Sequence, residues 1–88
     1  MGRKERLYQK AKNSPTNFRF SELCSLAEMV GLVFRRQSGS HQIYKHPDLP
    51  GIMNFQPDKR DKGKAKIKQT KDLINFIDEH KLIGGRNV

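Results

Sequence analysis

Hydrophobic residues recur at helical spacing in two stretches of the chain. The first stripe, at positions i, i+3, i+4 and i+7, consists of Leu23, Leu26, Ala27 and Val30. Ser21 is a candidate N-cap for this helix, and Gly31 can adopt the left-handed conformation that often ends one. The second stripe consists of Leu73, Ile74 and Ile77, within a last helix predicted from Ile67 or Lys68 to about Lys81. Both stripes are predicted to lie in the core.

Three short runs between these helices have the residues typical of strands, and turn residues separate them. The runs cover residues 32–37, 40–45 and 52–56. Gly39 permits the positive φ of a two-residue hairpin turn, so the chain is expected to reverse between the first two runs. The second turn, residues 47–51, contains two prolines and a glycine. Together the runs predict a three-stranded antiparallel meander.

Alternation along the second run divides its side chains between the two faces of the predicted sheet. One face carries His41, Ile43 and Lys45. The other face carries Gln42, Tyr44 and His46. The pattern leaves open which of these faces is buried.

The N-terminal segment, residues 3–13, is polar and ends at Asn13-Ser14-Pro15, because proline disfavours helical geometry in the residue before it. We predict a short helix here, docked on the domain through Leu7, Tyr8 and Ala11. The 88 residues are expected to form a single domain, residues 1–88, with residues 1–19 as an N-terminal extension. The predicted fold class is α+β, a small sandwich of the double-stranded-RNA-binding-domain (dsRBD) type. Helices pack its three-stranded antiparallel sheet in the order α-βββ-α, after the extra N-terminal helix.

The chain is strongly basic, with 18 Lys and Arg residues against 9 Asp and Glu, a net charge of +9 and a pI of about 10.1. Such an excess favours a polyanionic partner, nucleic acid before anionic lipid, since phosphate contacts release condensed counterions. Residues 58–66 form a charged loop that is expected to be mobile and could clamp a phosphate, with Asp58 and Asp61 as solubilising residues. A DNA-binding domain is a weaker alternative, because no helix-turn-helix spacing is visible.

Cys24 is the single cysteine, so the chain has neither an internal disulfide nor a cysteine cluster for zinc. No spacing of His, Asp and Glu suits a metal ion, and we expect no metal and no cofactor. The first residues lack the apolar region of a secretory signal, and no stretch approaches the roughly 20 apolar residues of a membrane span. The sequence therefore favours a cytoplasmic protein without a membrane segment.

Residues 35–46 concentrate the candidate chemistry. His41 directly follows the turn at residues 38–40, and it is flanked by the cations Arg35, Arg36 and Lys45. An imidazole held by a hairpin among cations can transfer protons at a phosphodiester. On these residues alone, an ordinary exposed or turn-supporting histidine is the commoner case. His46 is interpreted as a turn residue and His80 as a residue that suits the dipole at the end of the last helix.

Three segments of the chain carry a recognisable pattern. They are Phe20-Ser-Glu-Leu-Cys24, then Gly31-Leu-Val-Phe-Arg-Arg-Gln-Ser-Gly-Ser-His-Gln-Ile-Tyr-Lys-His-Pro47, then Gly51-Ile-Met-Asn-Phe-Gln-Pro57 with the Gly63-Lys-Ala-Lys66 loop. Together they resemble the HicA family of toxin ribonucleases over roughly residues 20–82. The Gly-Ser-His word is fairly specific because it lies in register between Gly-Leu-Val-Phe and Ile-Tyr-Lys-His-Pro.

This resemblance implies a metal-independent endoribonuclease that cleaves mRNA, inhibits translation and growth, and is held inactive by a HicB antitoxin. The catalytic histidine of the family follows the Gly-Ser of the motif and falls here on His41. The residues expected to contact RNA are Arg35, Arg36, Ser38, Gly39, Ser40, Lys45, Lys64 and Lys66. A basic face is most readily blocked by an acidic partner, so the antitoxin is expected to cover His41 or the face next to it.

RNA supplies its own nucleophile, the 2′-hydroxyl, so a ribonuclease needs only proton transfer and charge stabilisation. Neutral His41 would accept the 2′-proton, whereas its imidazolium would protonate the leaving 5′-oxygen. Nearby cations oppose a positive charge on the ring, which favours the base role. The alternative function is a non-catalytic RNA-binding module of the same fold, which differs only in whether His41 acts chemically.

Overall fold

The computed structural model describes residues 2–83, which form three α-helices and a three-stranded antiparallel sheet. In chain order the elements are α1 (Arg3–Asn13), a 3₁₀ helix (Pro15–Asn17), α2 (Phe20–Met29), β1 (Val33–Ser38), β2 (His41–Lys45), β3 (Met53–Phe55) and α3 (Ile67–His80). The strands lie in the order β1-β2-β3. The predicted α+β class and the element order are confirmed, and the arrangement is consistent with a dsRBD-like fold. No helix within residues 2–83 is long and apolar enough to cross a membrane.

A two-residue turn joins β1 to β2, as predicted. Ser38 pairs with His41, so only Gly39 and Ser40 lie outside the ladder. Gly39 has a φ of +62°, in the left-handed region that a glycine enters without steric cost. The turn therefore sets the register of the hairpin and places His41 at the start of β2.

The helices cover the sheet face that carries Tyr44. The side chains of Tyr44 and Phe55 are 2% and 0% exposed. Tyr44 and Gln42 both contact α2, through Glu28 and Cys24. Because side chains alternate along a strand, His41 and the other odd-numbered residues of β2 point away from the helices. We call this second face, which carries His41, Ile43 and Lys45, the open face.

The two predicted helical stripes form the centre of the core. All of their members are buried, and the list comprises Leu23, Leu26, Ala27, Val30, Leu73, Ile74 and Ile77. Phe18, in the segment before α2, is fully buried beside them. Burial of a side chain this large stabilises the fold by about 1.5–3 kcal/mol.

The N-terminal helix α1 is part of this core and packs on both α2 and α3. Its docking residues are the predicted ones, Leu7, Tyr8 and Ala11, which are all buried. The Tyr8 hydroxyl donates a hydrogen bond to the Asp78 carboxylate on α3. This bond, together with partial burial, raises the pKa of Tyr8 above its usual value. Tyr8 thus links the first helix to the last one.

The predicted Ser21 N-cap of α2 is wrong. The helix begins at Phe20, with Arg19 in the capping position, two residues before the predicted one. The Glu22 carboxylate, at the third helical position, accepts a hydrogen bond from the Arg19 backbone N–H at 2.9 Å, as the acidic residue of a capping box does. Lys10 of α1 lies 2.9 Å from the same carboxylate. Glu22 therefore caps α2 and also binds α1.

The loop at residues 58–66, predicted to be mobile, is instead held to the rest of the chain. The Phe20 N–H donates to the Gly63 carbonyl at 3.0 Å, and the Ala65 N–H donates to the Phe18 carbonyl at 2.9 Å. Asp58 and Asp61 are not mere solubilising residues, because each accepts backbone hydrogen bonds within the loop. The bond from the Arg60 N–H lowers the pKa of Asp58. The sequence showed only the charge of the loop. The backbone groups that hold it, at Phe18 and Phe20, belong to a distant segment of the chain.

Replacing Glu22 with alanine is expected to lower the free energy of unfolding by about 1–2 kcal/mol near neutral pH, because it removes a cap and an ion pair. Partial burial acts to raise the pKa of Glu22, but Lys10 and the Arg19 N–H outweigh it and hold the pKa below its usual value. A depressed folded-state pKa means that this stabilisation exists above the ordinary pKa of glutamate, about 4.3, and is lost as pH falls through the folded value.

Urea unfolding of the wild type and Glu22→Ala, at neutral pH and at about pH 3, measures this difference. Glu79→Ala is the matched control, since Glu79 is exposed on α3 and its side chain makes no hydrogen bond or ion pair within residues 2–83. A difference that stays the same at both pH values would contradict the assignment.

Candidate functional site

His41 lies on the open face and is hydrogen-bonded through one ring nitrogen. Its Nδ1 is 2.9 Å from Oδ1 of Asn54 on β3. An amide oxygen only accepts, so the hydrogen of this bond belongs to Nδ1. In the neutral ring, Nε2 then carries the free lone pair. The contact orients the imidazole and leaves one nitrogen able to accept a proton.

Asn54 is a functional candidate that sequence reasoning missed. It pairs with Ile43, which lies two residues after His41 on β2. Asn54 therefore shares the open face with His41. Asparagine is depleted in strands, and here it lies between the hydrophobic Met53 and Phe55. That outward polar position was visible in the sequence, but the pairing that brings it to His41 was not.

A β-bulge brings Arg35 and Arg36 to the same side of the sheet. Phe34 pairs with Tyr44 and Arg36 with Ile43, so Arg35 is the extra residue in β1. In a regular strand two consecutive side chains point to opposite faces. Here both arginines line one depression of about 370 Å³, together with Ile43 and Lys45 of the open face and with Ile52, which precedes β3.

Lys45 combines a structural role with its place on the open face. Its ammonium lies 3.4 Å from the His46 carbonyl and 3.3 Å from the Leu49 carbonyl, in the turn after β2. An ammonium group has three donors, so one stays available beyond these two contacts. Lys45 therefore supports the turn while its charge adds to that of the two arginines.

A second polar network joins the hairpin turn to the charged loop at residues 58–66. Its centre is Gln56, whose Nε2 donates to Ser40 Oγ at 2.9 Å and whose Oε1 accepts from Lys66 Nζ at 2.7 Å. The Gln56 backbone N–H donates to Gln69 Oε1 on α3 at 2.8 Å. The structure thus brings the predicted residues Ser40 and Lys66 together through Gln56. Lys64 lies apart from this network, in an isolated β-bridge with Arg19.

The remaining histidines have structural positions. His46 Nδ1 accepts a hydrogen bond from the Asp48 N–H at 3.0 Å, and a Cβ at Gly31 would lie 2.8 Å from its Nε2. His46 therefore supports the turn and packs where only glycine fits. The ring of His80 packs against Phe76 at 4.7 Å between centroids.

The buried residues next to the sheet are poor candidates for chemistry. Burial raises the pKa of the Cys24 thiol, so the reactive thiolate is disfavoured. Burial also raises the pKa of Tyr44, and its ring lies among Phe34 and Phe55 rather than free to stack on a base. Across residues 2–83, no three His, Cys, Asp or Glu side chains are grouped to hold a metal ion.

Comparison with known proteins identifies one family. No curated protein sequence and no solved structure shows a significant match. The family model described as "HicA toxin of bacterial toxin-antitoxin" matches residues 20–74, more than half of the chain. The matched segment contains α2, the whole sheet and the first eight of the fourteen residues of α3, and therefore both His41 and Asn54. The chain belongs to the HicA toxin family of bacterial toxin–antitoxin systems.

Proposed function

We propose that this protein is an endoribonuclease that cleaves mRNA in the cytoplasm without a metal ion, and so inhibits translation and growth. Membership of the HicA family implies a toxin of a toxin–antitoxin system, and toxins of this family are typically ribonucleases. The observation that carries the proposal is the oriented imidazole of His41, held by Asn54 beside a cationic sheet face.

The chemistry begins with the 2′-hydroxyl of the substrate. Nε2 of His41 accepts the 2′-proton while the 2′-oxygen forms a bond to phosphorus and the bond to the 5′-oxygen breaks. The leaving 5′-oxygen takes a proton from the imidazolium or from water. A cyclic 2′,3′-phosphate and a free 5′-hydroxyl remain. One positioned base contributes roughly 10²- to 10⁴-fold, enough for a slow toxin.

The cations around His41 have separate roles in this proposal. Arg35, Arg36 and Lys45 bind phosphates along the open face, where two guanidinium groups offer bidentate contacts. Lys66, which is linked to Ser40 of the hairpin turn through Gln56, neutralises phosphate charge next to the turn. The Ser38-Gly39-Ser40 turn and Lys64 complete the proposed RNA contacts.

A HicB-type antitoxin is proposed to inhibit the toxin by covering the open face. A basic surface attracts an acidic partner, because complementary potentials speed association and disfavour wrong orientations. A partner seated over His41 would exclude the RNA backbone from Nε2. A complex that left His41 exposed to solvent would be inconsistent with this arrangement.

His41→Ala is expected to abolish cleavage of a structured mRNA in EDTA, while the wild type yields discrete fragments. The variant removes the proton acceptor but no core contact, so its fold and RNA affinity should be nearly unchanged. His80→Ala removes an imidazole from the end of α3 and is the matched control. Equal cleavage by His41→Ala and wild type would refute the assignment. Intact RNA with both, and equal gel shifts, would favour a non-catalytic RNA-binding module.

Asn54→Ala is expected to slow cleavage about tenfold, because the imidazole loses the hydrogen bond that orients it. Nitrogen NMR of His41 supplies a readout that is independent of activity. The wild type should show the neutral ring with its hydrogen on Nδ1, and the variant should show a mixture of tautomers. Asn13→Ala, at an exposed helix end, is the control. A wild-type ring with its hydrogen on Nε2 would contradict the proposed role of Asn54.

Arg35→Gln and Arg36→Gln are each expected to weaken binding of single-stranded RNA at low salt. Each should also reduce the slope of log K against log salt by about 0.7, the value per phosphate contact in a single strand. The double variant should lose about twice that slope, because the bulge directs both side chains to the open face, where RNA is proposed to bind. Arg6→Gln on α1 is the control. If only one of the two substitutions changes the slope, the proposal that both arginines contact phosphate is wrong.

A further inference from the structure

A second depression next to His41 contains an acidic residue that phosphate binding does not use. Its volume is about 320 Å³, at the lower end of the roughly 300–1,000 Å³ typical of small-ligand sites. The lining comes from the open face, from β3 and from the first turns of α3, and consists of His41, Ile52, Met53, Asn54, Phe55, Lys68, Gln69 and Asp72. Whatever occupies this depression lies beside the imidazole of His41.

The charge of Asp72 indicates which part of an RNA strand enters. A carboxylate repels phosphate, which has no hydrogen to donate, but it accepts hydrogen bonds from the N–H groups of a base. The neighbouring depression around Arg35 and Arg36 differs, because its charged lining is entirely cationic, whereas here the one cationic lysine, Lys68, is paired with Asp72. The two depressions share Ile52, so a strand can place phosphate in one and base in the other.

The hydrogen-bonding groups of α3 have a defined arrangement. Gln69 and Asp72 are three residues apart on one helix and therefore lie on the same face. Gln69 Oε1 is already occupied by the Gln56 N–H, which leaves the amide –NH₂ of Gln69 as a donor. Asp72 Oδ2 lies 3.2 Å from Lys68 Nζ, which leaves Oδ1 and further lone pairs as acceptors. The helix thus offers adjacent acceptors next to a donor.

We propose that this depression binds an unpaired guanine next to the scissile phosphate, which makes Asp72 a specificity-determining residue. Guanine is the one standard RNA base with two adjacent donors, N1–H and the 2-amino group, on its pairing edge. The Asp72 carboxylate accepts from both, and the Gln69 amide donates to O6. The apolar side chains of Ile52 and Met53 contact the ring. The proposal rests on the ribonuclease function for its position beside the cleaved bond.

An exposed ion pair is the ordinary alternative for Lys68 and Asp72. They are four residues apart on a helix, and such pairs stabilise it by only about 0.3–0.5 kcal/mol. That role would make RNA binding independent of the base in the strand. The two explanations therefore differ in whether removal of one guanine substituent changes the affinity of the protein for RNA.

Binding of 2′-fluoro oligouridine strands that carry one central 2′-fluoro guanosine or one central 2′-fluoro inosine distinguishes the two explanations. These strands lack the 2′-hydroxyl and are not cleaved, and inosine lacks only the 2-amino group. By fluorescence anisotropy, the wild type should bind the guanosine strand about tenfold more tightly. Asp72→Asn should remove most of this preference, and Glu79→Gln, the same charge change on the same helix, should retain it.

Equal wild-type affinity for the two strands would overturn the proposal, and so would an undiminished preference in Asp72→Asn. The wild-type comparison needs no variant, so it stands even if Asp72→Asn is unstable. Because no cleavage is measured, a negative His41 result and a negative guanine result are distinguishable. Mapping the fragment ends from wild type and Asp72→Asn then shows whether cleavage next to guanosine depends on Asp72.

Discussion

The register of β2 against its two neighbours is the constraint on which the candidate site depends. Side chains alternate along a strand, so a slip of one residue would turn His41 towards the helices and Tyr44 towards solvent. The two-residue turn at Gly39 sets this register on one side, and burial of Tyr44 and Phe55 sets it on the other. Hydrophobic burial on one face therefore decides which polar groups meet on the opposite face.

The polar contacts around His41 are built from groups that are satisfied within the protein. Asn54 accepts from the imidazole, and Gln56 links the turn to Lys66 and α3. A proton acceptor works best when its orientation exists before the substrate arrives, because no binding energy is then needed to create it. The short helix α1 contributes indirectly, since it holds α2 and α3 together behind the sheet.

Sequence reasoning succeeded where the signal is local. Helical spacing identified α2 and α3, one glycine identified the hairpin turn, and a run of turn residues separated β2 from β3. The assignment of His41 came from a resemblance that the family match over residues 20–74 supports, although the histidine's role is still a proposal. The docking residues of α1 were also identified, because only three of its side chains could pack on anything.

The features that sequence reasoning missed all depend on contacts between distant residues. The bulge at Arg35 is a property of the pair β1–β2, and the contact between His41 and Asn54 spans 13 positions. The loop at residues 58–66 looked mobile because its charge is local, whereas the carbonyl of Phe18 that anchors it lies far away in the chain. Period-2 alternation predicts two faces but contains no information on which one a helix will cover.

The extra residue in β1 has an evolutionary consequence. Loss of a single codon at Arg35 would convert the bulge into regular pairing, with Phe34 still opposite Tyr44 and Arg36 still opposite Ile43. Such an in-frame deletion leaves the hairpin turn and the helical layer as they are, yet removes one cation from the open face. Under the proposed function, the strength of RNA binding is therefore adjustable by insertion or deletion at this position, without substitution of any residue in the core.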